Sequence, residues 1–290
     1  MCIRSKSFFF ASTGVVALAA SLAMASTAMA TTTGTTTIIS DTFPTSQGVG
    51  SGAYLQGSTP DGVDLPGSTW TTNYYGGKPA AYSAPTSAEA PFIEPNSAVY
   101  FPAAPGGNVS AAIAFTPTGN GVLSLTATLD WAGGEWLGMG FANSVTTASP
   151  TQAGPWMLVA DTVQMFGESG GKNFVPTTGV ASGPNTVTFT YDPVAMVETV
   201  TVSNATNGSD YIDASEPLSY FGITTAPTIG SIFFGTRSGT GTNGTNGSNF
   251  SNVTLTQGPA QVVPDAAPAA LLGLGGVAGL LLLGRRRKLA

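Results

Sequence analysis

The chain has 290 residues, of which 42% are hydrophobic and 8% are charged, with a formal net charge of −6 and no histidine. The lack of histidine excludes Ser-His-Asp and Cys-His catalysis and every His-ligated metal site. The only cysteine is Cys2, so the remainder of the chain cannot form disulfides and depends on a hydrophobic core.

The N-terminal thirty residues have the three parts of a secretory signal peptide. Arg4 and Lys6 supply a positive start, residues 8–24 are apolar, and Ala28-Met29-Ala30 is a small-x-small cleavage site. We therefore predict a signal peptide over residues 1–30, with cleavage after Ala30. Residues 31–37 are almost all threonine and are predicted to be a low-complexity spacer.

From residue 38 onward the hydrophobic pattern has a period of two, which indicates β-strands. In residues 122–131, apolar side chains alternate with Ser, Thr and Asp, and residues 185–204 predict a hairpin that turns at Asp192-Pro193. No helical pattern of ten or more residues occurs between 31 and 262. We predict an all-β domain over residues 38–257, an antiparallel two-sheet β-sandwich in which each sheet has one solvent-facing side. Further predicted strands are 38–43, 98–101, 109–115, 135–142, 156–163, 231–236 and 250–256.

The exported part is acidic. Residues 31–264 contain three cations, Lys78, Lys172 and Arg237, against fourteen carboxylates, a net charge near −11. This balance argues against binding to nucleic acid or to anionic lipid, because few cations are present to neutralise phosphate.

The excess of carboxylates is compatible with calcium binding, because Ca²⁺ prefers oxygen ligands. Asp61 and Asp64 lie in one predicted turn, and Asp210 and Asp213 lie with Asn207 in another. Either group could hold a Ca²⁺ ion, although turn carboxylates more commonly bond to their own backbone.

Aromatic side chains are the candidates for carbohydrate contact, because the CH faces of sugars pack on rings. Tyr74 and Tyr75 are predicted in a Gly/Asn/Pro loop, and Trp156 follows Ala153-Gly154-Pro155. Trp136 has the opposite parity to Leu137, Met139 and Phe141, and therefore should point away from the core. Trp131 continues the apolar parity of residues 123–129 and should be core. Packing beneath a loop is the alternative for any of the four candidates.

The sequence predicts no catalytic residues, and hence a protein that is not an enzyme. Asp130 and Glu135 flank the Gly133-Gly134 turn and could form a retaining glycosidase pair if their carboxyl groups lay about 5 Å apart. Their parity leaves open whether they share a face, and a glycan-active hydrolase on the same fold is the alternative function.

The C-terminus contains a transmembrane pattern. An apolar helix is predicted over residues 266–284, and its eighteen uncharged residues from Ala266 to Leu283 would span roughly 27 Å, close to the thickness of a bilayer core. The basic tail 285–290, with Arg285, Arg286 and Arg287, should stay in the cytoplasm. Residues 258–265 form a linker that ends in Val263-Pro264-Asp265.

A short Pro-plus-acid motif, a Leu/Gly/Ala helix and a terminal Arg cluster, in this order, resemble the PEP-CTERM sorting signals of Gram-negative bacteria, in the VPD-type variant. The resemblance implies a transient inner-membrane intermediate and cleavage near Val263-Pro264-Asp265 by an exosortase-type enzyme. The protein would then be released to the cell surface or the extracellular polymer layer. A simple tail anchor is the alternative.

A second resemblance covers the strand region. The segments Asp41-Thr42-Phe43, 55–70 with Trp70, and Phe250-Ser251-Asn252-Val253-Thr254-Leu255 resemble the concanavalin A-like, laminin-G-like jelly rolls of bacterial surface proteins. The resemblance implies that the first and last strands pair, and that a lectin-like sandwich associates with exopolysaccharide or acts in adhesion. A ligand-free structural surface protein is the further alternative.

Overall fold

Sixteen β-strands form the part of the chain that the computed structural model describes. This part comprises residues 34–48, 54–63, 67–75, 91–101, 108–131, 136–146, 154–160, 162–167, 171–174, 183–206, 208, 210–237 and 248–261. The strands are β1 Thr36–Asp41, β2 Gly62–Val63, β3 Thr71–Tyr75, β4 Phe92–Ile93, β5 Val99–Tyr100, β6 Asn108–Ala114, β7 Leu123–Asp130, β8 Leu137–Ala142, β9 Trp156–Val159, β10 Val163–Phe166, β11 Gly171–Phe174, β12 Asn185–Asp192, β13 Val197–Asn204, β14 Asp210–Pro217, β15 Ser231–Arg237 and β16 Asn249–Gln257.

The strands form two antiparallel sheets. The nine-stranded sheet has the order β14-β13-β12-β7-β16-β1-β2, with β5 on β16 and β4 on β5. The seven-stranded sheet has the order β11-β10-β9-β8-β15-β6-β3. The predicted all-β, two-sheet sandwich is therefore confirmed.

Helices are short in the described residues. Two 3-10 helices occur, Thr45–Gln47 and Leu218–Phe221. None of the helices in the described ranges is both long and apolar enough to cross a bilayer. The predicted signal peptide, the sorting motif Val263-Pro264-Asp265, the apolar helix and the Arg cluster lie outside the described residues.

The first and last strands pair side by side, as the resemblance to jelly rolls implied. Ile39 lies opposite Leu255 and Asp41 opposite Val253. In β16 the register shifts between Ser251 and Thr254, where Asn252 adopts a positive φ of 50°. Asn tolerates this conformation better than most residues, and the extra residue makes a β-bulge.

The hydrophobic core lies between the sheets. Alternation along β7 and β12 puts Leu125 and Phe189 inside while the intervening threonines are half-buried. Trp131 is part of this core, which confirms the parity prediction.

The seven-stranded sheet departs from the expectation of one solvent-facing side. Every residue of β8 and of β9 is buried. Leu137, Met139 and Phe141 belong to the core, whereas Trp156 and Phe233 belong to a second apolar cluster. The expectation was wrong for this sheet because its outward-facing positions also carry apolar side chains.

We expect a chain limited to residues 31–262 to fold alone, because all sixteen described strands lie within it. Reducing agent should not affect its stability, because it contains no cysteine. Its far-ultraviolet circular dichroism should show β-structure with little helix, unchanged by reducing agent. A helix-dominated spectrum would contradict the architecture.

Candidate functional site

The outward face of the seven-stranded sheet carries a row of directly opposite residues in which three large rings lie among three small residues. The small residues leave room for rings from neighbouring strands to meet above the sheet. In strand order from β6 to β11, the row is Ala112, Phe233, Gly140, Trp156, Phe166 and Gly171.

Two glycines in this row are required by close packing. A Cβ at Gly140 would lie 2.3 Å from Cβ of Trp156, and a Cβ at Gly171 would lie 2.3 Å from Cε1 of Phe166. Both distances are far below van der Waals contact, so any larger residue would displace the rings.

We call Trp136, Trp156, Phe166 and Phe233 the outer aromatic cluster. Trp156 stacks on Phe166 with centroids 4.3 Å apart and an interplanar angle of 11°. It also lies 6.3 Å from Trp136 and 6.5 Å from Phe233. Trp136 precedes β8 and packs against this cluster, which confirms that it points away from the core.

The members of the cluster differ in their access to solvent. Trp156 is 6% exposed and Phe233 is fully buried. Trp136 and Phe166 are only half-buried. A ligand on this face would therefore meet Trp136 and Phe166 first, with Trp156 supporting them from behind.

Amide side chains lie next to these rings. Gln164 is two residues before Phe166 on β10, and therefore on the same face, and it pairs with Asn173 of edge strand β11. Gln164 is half-buried and Asn173 is exposed. The neighbouring row contains Asn73, Ser110, Gly235, Gly138, Leu158, Gln164 and Asn173, and neither row has a charged residue.

A loop residue after β8 lies over another part of this face. Val145 packs against the apolar group on this face that is formed by Ala112, Ala142, Trp156, Leu158 and Phe233. Its carbonyl oxygen accepts a hydrogen bond of 2.6 Å from Nδ2 of Asn73. The partly or fully accessible residues of this face that the structure describes include Trp136 before β8, Gln164 and Phe166 of β10, and Asn173 of β11.

Tyr74 and Tyr75 are not in a loop, which corrects the predicted location. They end strand β3 and pair with Val109 and Asn108 of β6. Thr71 and Thr72 favour this extended conformation, because β-branched residues fit a pleated strand. A role of the two tyrosines in carbohydrate contact stays a prediction.

The structure describes three of the four acidic residues predicted as calcium ligands. Asp61 is exposed and accepts hydrogen bonds from the backbone N–H of Thr42 at 2.9 Å and from the Thr42 hydroxyl. Asp210 and Asp213 belong to strand β14, not to a turn, and Asp213 is exposed opposite Thr201. Asp64 lies outside the described residues, within which no three acidic side chains come together as a metal site.

The Asp130–Glu135 pair stays untested because Glu135 is outside the described ranges. Burial raises the pKa of Asp130, and a hydrogen bond from the Asn249 side chain opposes that rise. A raised pKa suits a general acid, but it also follows from ordinary half-burial at the end of a strand.

Sequence analysis missed three residues of this site: Gln164, Phe166 and Asn173. Residues 156–163 were predicted as one strand, whereas β9 ends at Val159 and a second, antiparallel strand, β10, begins at Val163. The alternation of Val163 and Met165 with Gln164 and Phe166 was the available signal.

Comparison with known proteins gives likenesses only among solved structures. No family model and no curated protein matches the sequence. The exoplasmic/lumenal domain of VIP36, in its Ca²⁺/Man2-bound form, is similar with a TM-score of 0.45 and 11% identity over 80% of this chain and 91% of that domain. Winged bean acidic lectin in complex with methyl-α-D-galactose has a TM-score of 0.41 and 12% sequence identity, over 66% of this chain and 100% of that lectin. The Emp47p carbohydrate recognition domain has a TM-score of 0.41 and 12% sequence identity, over 66% of this chain and 89% of that domain. These are likenesses of architecture, and the two-sheet sandwich of this chain is assigned from its own strand pairing.

Proposed function

We propose that this protein is an exported, non-catalytic surface protein whose lectin-like sandwich binds a neutral carbohydrate at the outer aromatic cluster. The observation that carries the proposal is the pair of half-buried rings, Trp136 and Phe166, on an outward sheet face beside Gln164 and Asn173. Rings can pack on the CH faces of a sugar, and amides can bond to its hydroxyl groups.

The charge of this face favours an uncharged ligand. Neither of the two described cross-strand rows carries a cation, and the exported part of the chain is strongly acidic. An anionic polysaccharide would be repelled unless calcium bridged it, whereas binding of a neutral glycan should depend little on salt. Calcium at Asp61 and Asp64, or at Asp210 and Asp213, is a separate proposal that chelation would test.

We expect Trp136→Ala to weaken glycan binding by about 1–2 kcal/mol while the domain stays folded, because only one stacking ring is lost. Trp131→Ala is the matched control, since it removes the same side chain from the core and should lower the free energy of unfolding by about 3–5 kcal/mol. Glycan-array screening identifies the ligand. Affinity and melting temperature of both variants, with calcium and with a chelator, complete the test.

The outcomes distinguish three possible functions of this domain: glycan binding, a ligand-free structural role and glycan hydrolysis. Loss of binding in Trp136→Ala without unfolding supports the proposal. No binding of any glycan by the wild-type chain would contradict it and favour a ligand-free structural protein. Shortened glycans in the reaction mixture would favour the hydrolase, with Asp130 and Glu135 as the first residues to replace.

The proposed route to the cell surface follows from the two ends of the sequence. Ala28 and Ala30 define the signal cleavage site, and Val263-Pro264-Asp265 precedes the apolar helix. The inner membrane would hold the protein transiently, until an exosortase-type enzyme cuts near the motif and releases it toward the exopolysaccharide layer.

We expect the released protein to begin near Thr31 and to lack the C-terminal helix, because both cleavage sites are encoded in the chain. Intact-mass measurement of protein from the culture fluid and from the cell surface tests this. Retention of residues 266–290 on all mature protein would leave the tail anchor as the explanation.

A further inference from the structure

The outward side of the nine-stranded sheet carries a straight row of threonines. Thr201, Thr188, Thr126 and Thr254 lie directly opposite one another on β13, β12, β7 and β16. All four are half-buried, so each is held at the sheet surface and is still partly accessible to solvent. A hydrogen bond of 3.0 Å joins the hydroxyl groups of Thr126 and Thr188. Because a hydroxyl group can donate one hydrogen bond and accept two, this pair can still bond to water on its open side.

The two neighbouring rows repeat this chemistry. Thr190 pairs with Ser124 in one row, and Thr186 pairs with Thr128 in the other. Each row also has a threonine or a serine on β13, so β7, β12 and β13 carry nine hydroxyl residues in three rows of three. We call these nine residues the hydroxyl grid. All of them are half-buried and none is charged.

The dimensions of the hydroxyl grid are fixed by the sheet. Neighbouring strands lie about 4.8 Å apart, and residues two positions apart on one strand are separated by about 6.8 Å. The pairing is continuous throughout the grid, and the register shift of β16 lies outside it. Three strands accumulate less twist than a wider sheet, and threonine is stiff at χ1. The hydroxyl oxygens therefore form a regular two-dimensional lattice.

The chemistry of the grid selects among the surfaces that could match such a lattice. The grid has no aromatic ring on which a sugar could pack, and no charge that would bind an ionic mineral. It also lacks the aromatic, methionine and arginine residues that are enriched in the cores of protein interfaces. Its partner should be an uncharged lattice of hydrogen-bond donors and acceptors. Ice is such a lattice, with oxygen atoms that repeat in two dimensions over distances of the same size.

We propose that the hydroxyl grid binds the surface of ice. Hydroxyl groups that the sheet already holds in place lose little conformational entropy when they join an ordered layer of water. Each hydrogen bond contributes little, but the grid forms several at once. The outer aromatic cluster belongs to the other sheet, so this site is independent of the proposed glycan binding.

Slow freezing of a dilute solution of the full-length chain tests this proposal, because growing ice excludes solutes that do not bind its surface. We expect the wild-type chain to be enriched in the ice. Thr188→Tyr, at the centre of the grid, should lower this enrichment at least about tenfold, because its ring holds the neighbouring hydroxyl groups away from the ice and several hydrogen bonds are lost together. Thr225→Tyr, the same change at an exposed loop residue, is the matched control and should keep the wild-type enrichment.

Thr188→Val provides a second variant that keeps the shape of threonine and lacks only the hydroxyl group. Its circular dichroism and melting temperature should match the wild type, while its enrichment in ice falls. Exclusion of the wild-type chain from the ice, or equal enrichment of the wild type and both Thr188 variants, would overturn the proposal. Binding to microcrystalline cellulose that Thr188→Tyr abolishes, without enrichment in ice, would overturn it in favour of a crystalline polysaccharide.

Discussion

Trp70→Ala is expected to lower the free energy of unfolding by about 3–5 kcal/mol, the cost of removing a fully buried aromatic side chain. Trp70 contacts Phe43, Phe234 and Phe250, with ring centroids between 5.6 and 6.3 Å away. These rings come from both sheets, so one substitution loosens the contact between them. Chemical denaturation, followed by a spectroscopic probe of the sandwich, measures the effect.

Trp70→Phe removes the hydrogen-bond donor of this side chain together with its five-membered ring. Nε1–H of Trp70 donates to Oδ2 of Asp41 at 2.7 Å, and Asp41 is completely buried. Phenylalanine keeps the six-membered ring but cannot donate, so we expect the lost hydrogen bond to lower the free energy of unfolding by about 1–3 kcal/mol, with the cavity left by the smaller ring adding to this loss. Trp136→Phe is the matched control and should change stability by less than about 0.5 kcal/mol. Equal stability of Trp70→Phe and the wild type would show that the hydrogen bond contributes nothing.

The same carboxylate explains why the opening sequence motif predicted the strand arrangement correctly. Besides Trp70, Asp41 accepts hydrogen bonds from the backbone N–H of Phe43 and from Nε2 of Gln47, both at 2.9 Å. It therefore joins the end of β1 to the segment before β3. Burial raises the pKa of Asp41 to about 6, although these hydrogen bonds act in the opposite direction.

Periodicity predicted the inner faces better than the outer ones. Alternation indicates which residues share a face, and this was enough to place Trp131 in the core and Trp136 outside it. It does not indicate whether the side chains of the other face are exposed to solvent or buried. In β8 the outward positions are Gly138, Gly140 and Ala142, which carry no polar signal and leave room for large rings of neighbouring strands.

Strand β14, Asp210–Pro217, escaped prediction for a different physical reason. It is an edge strand, and edge strands commonly carry charges and proline that discourage pairing with another chain. Its Asp, Ser and Glu residues therefore resemble a turn in the sequence. For this reason two predicted calcium ligands, Asp210 and Asp213, were assigned to a turn, although both belong to a strand.

The neighbour of this edge strand contains a buried acid that no sequence pattern identified. Glu198 of β13 is 0% exposed, and neither of its carboxyl oxygens has a hydrogen-bond partner among the described residues. Tyr191 of β12 and Glu216 of β14 lie directly opposite it on either side. Glu216 forms an ion pair with Lys172 of the other sheet.

Burial, reinforced by the negative charge of Glu216, raises the pKa of Glu198 from 4.5 to about 9. The folded protein therefore binds a proton that the unfolded chain releases above pH 4.5. The stability contributed by this group is fully present below pH 4.5 and is lost progressively as pH rises from 4.5 to 9. The pKa of Asp41 is raised from 3.8 to about 6, so the stability contributed by its protonated form is also lost as pH rises, and this loss is complete near pH 6.

Glu198→Gln is expected to become more stable than the wild type as pH rises, by on the order of 1 kcal/mol per pH unit between pH 6 and 8.5. Glutamine keeps the shape of the protonated acid but cannot ionise, and this range lies above the titration of Asp41. Asp213→Asn, an exposed carboxylate on the adjacent strand, is the matched control and should follow the wild-type curve. Denaturant midpoints at several pH values give the comparison. If Glu198→Gln and the wild type keep the same difference across this range, Glu198 does not titrate there and its carboxyl group has a partner that stabilises the charge.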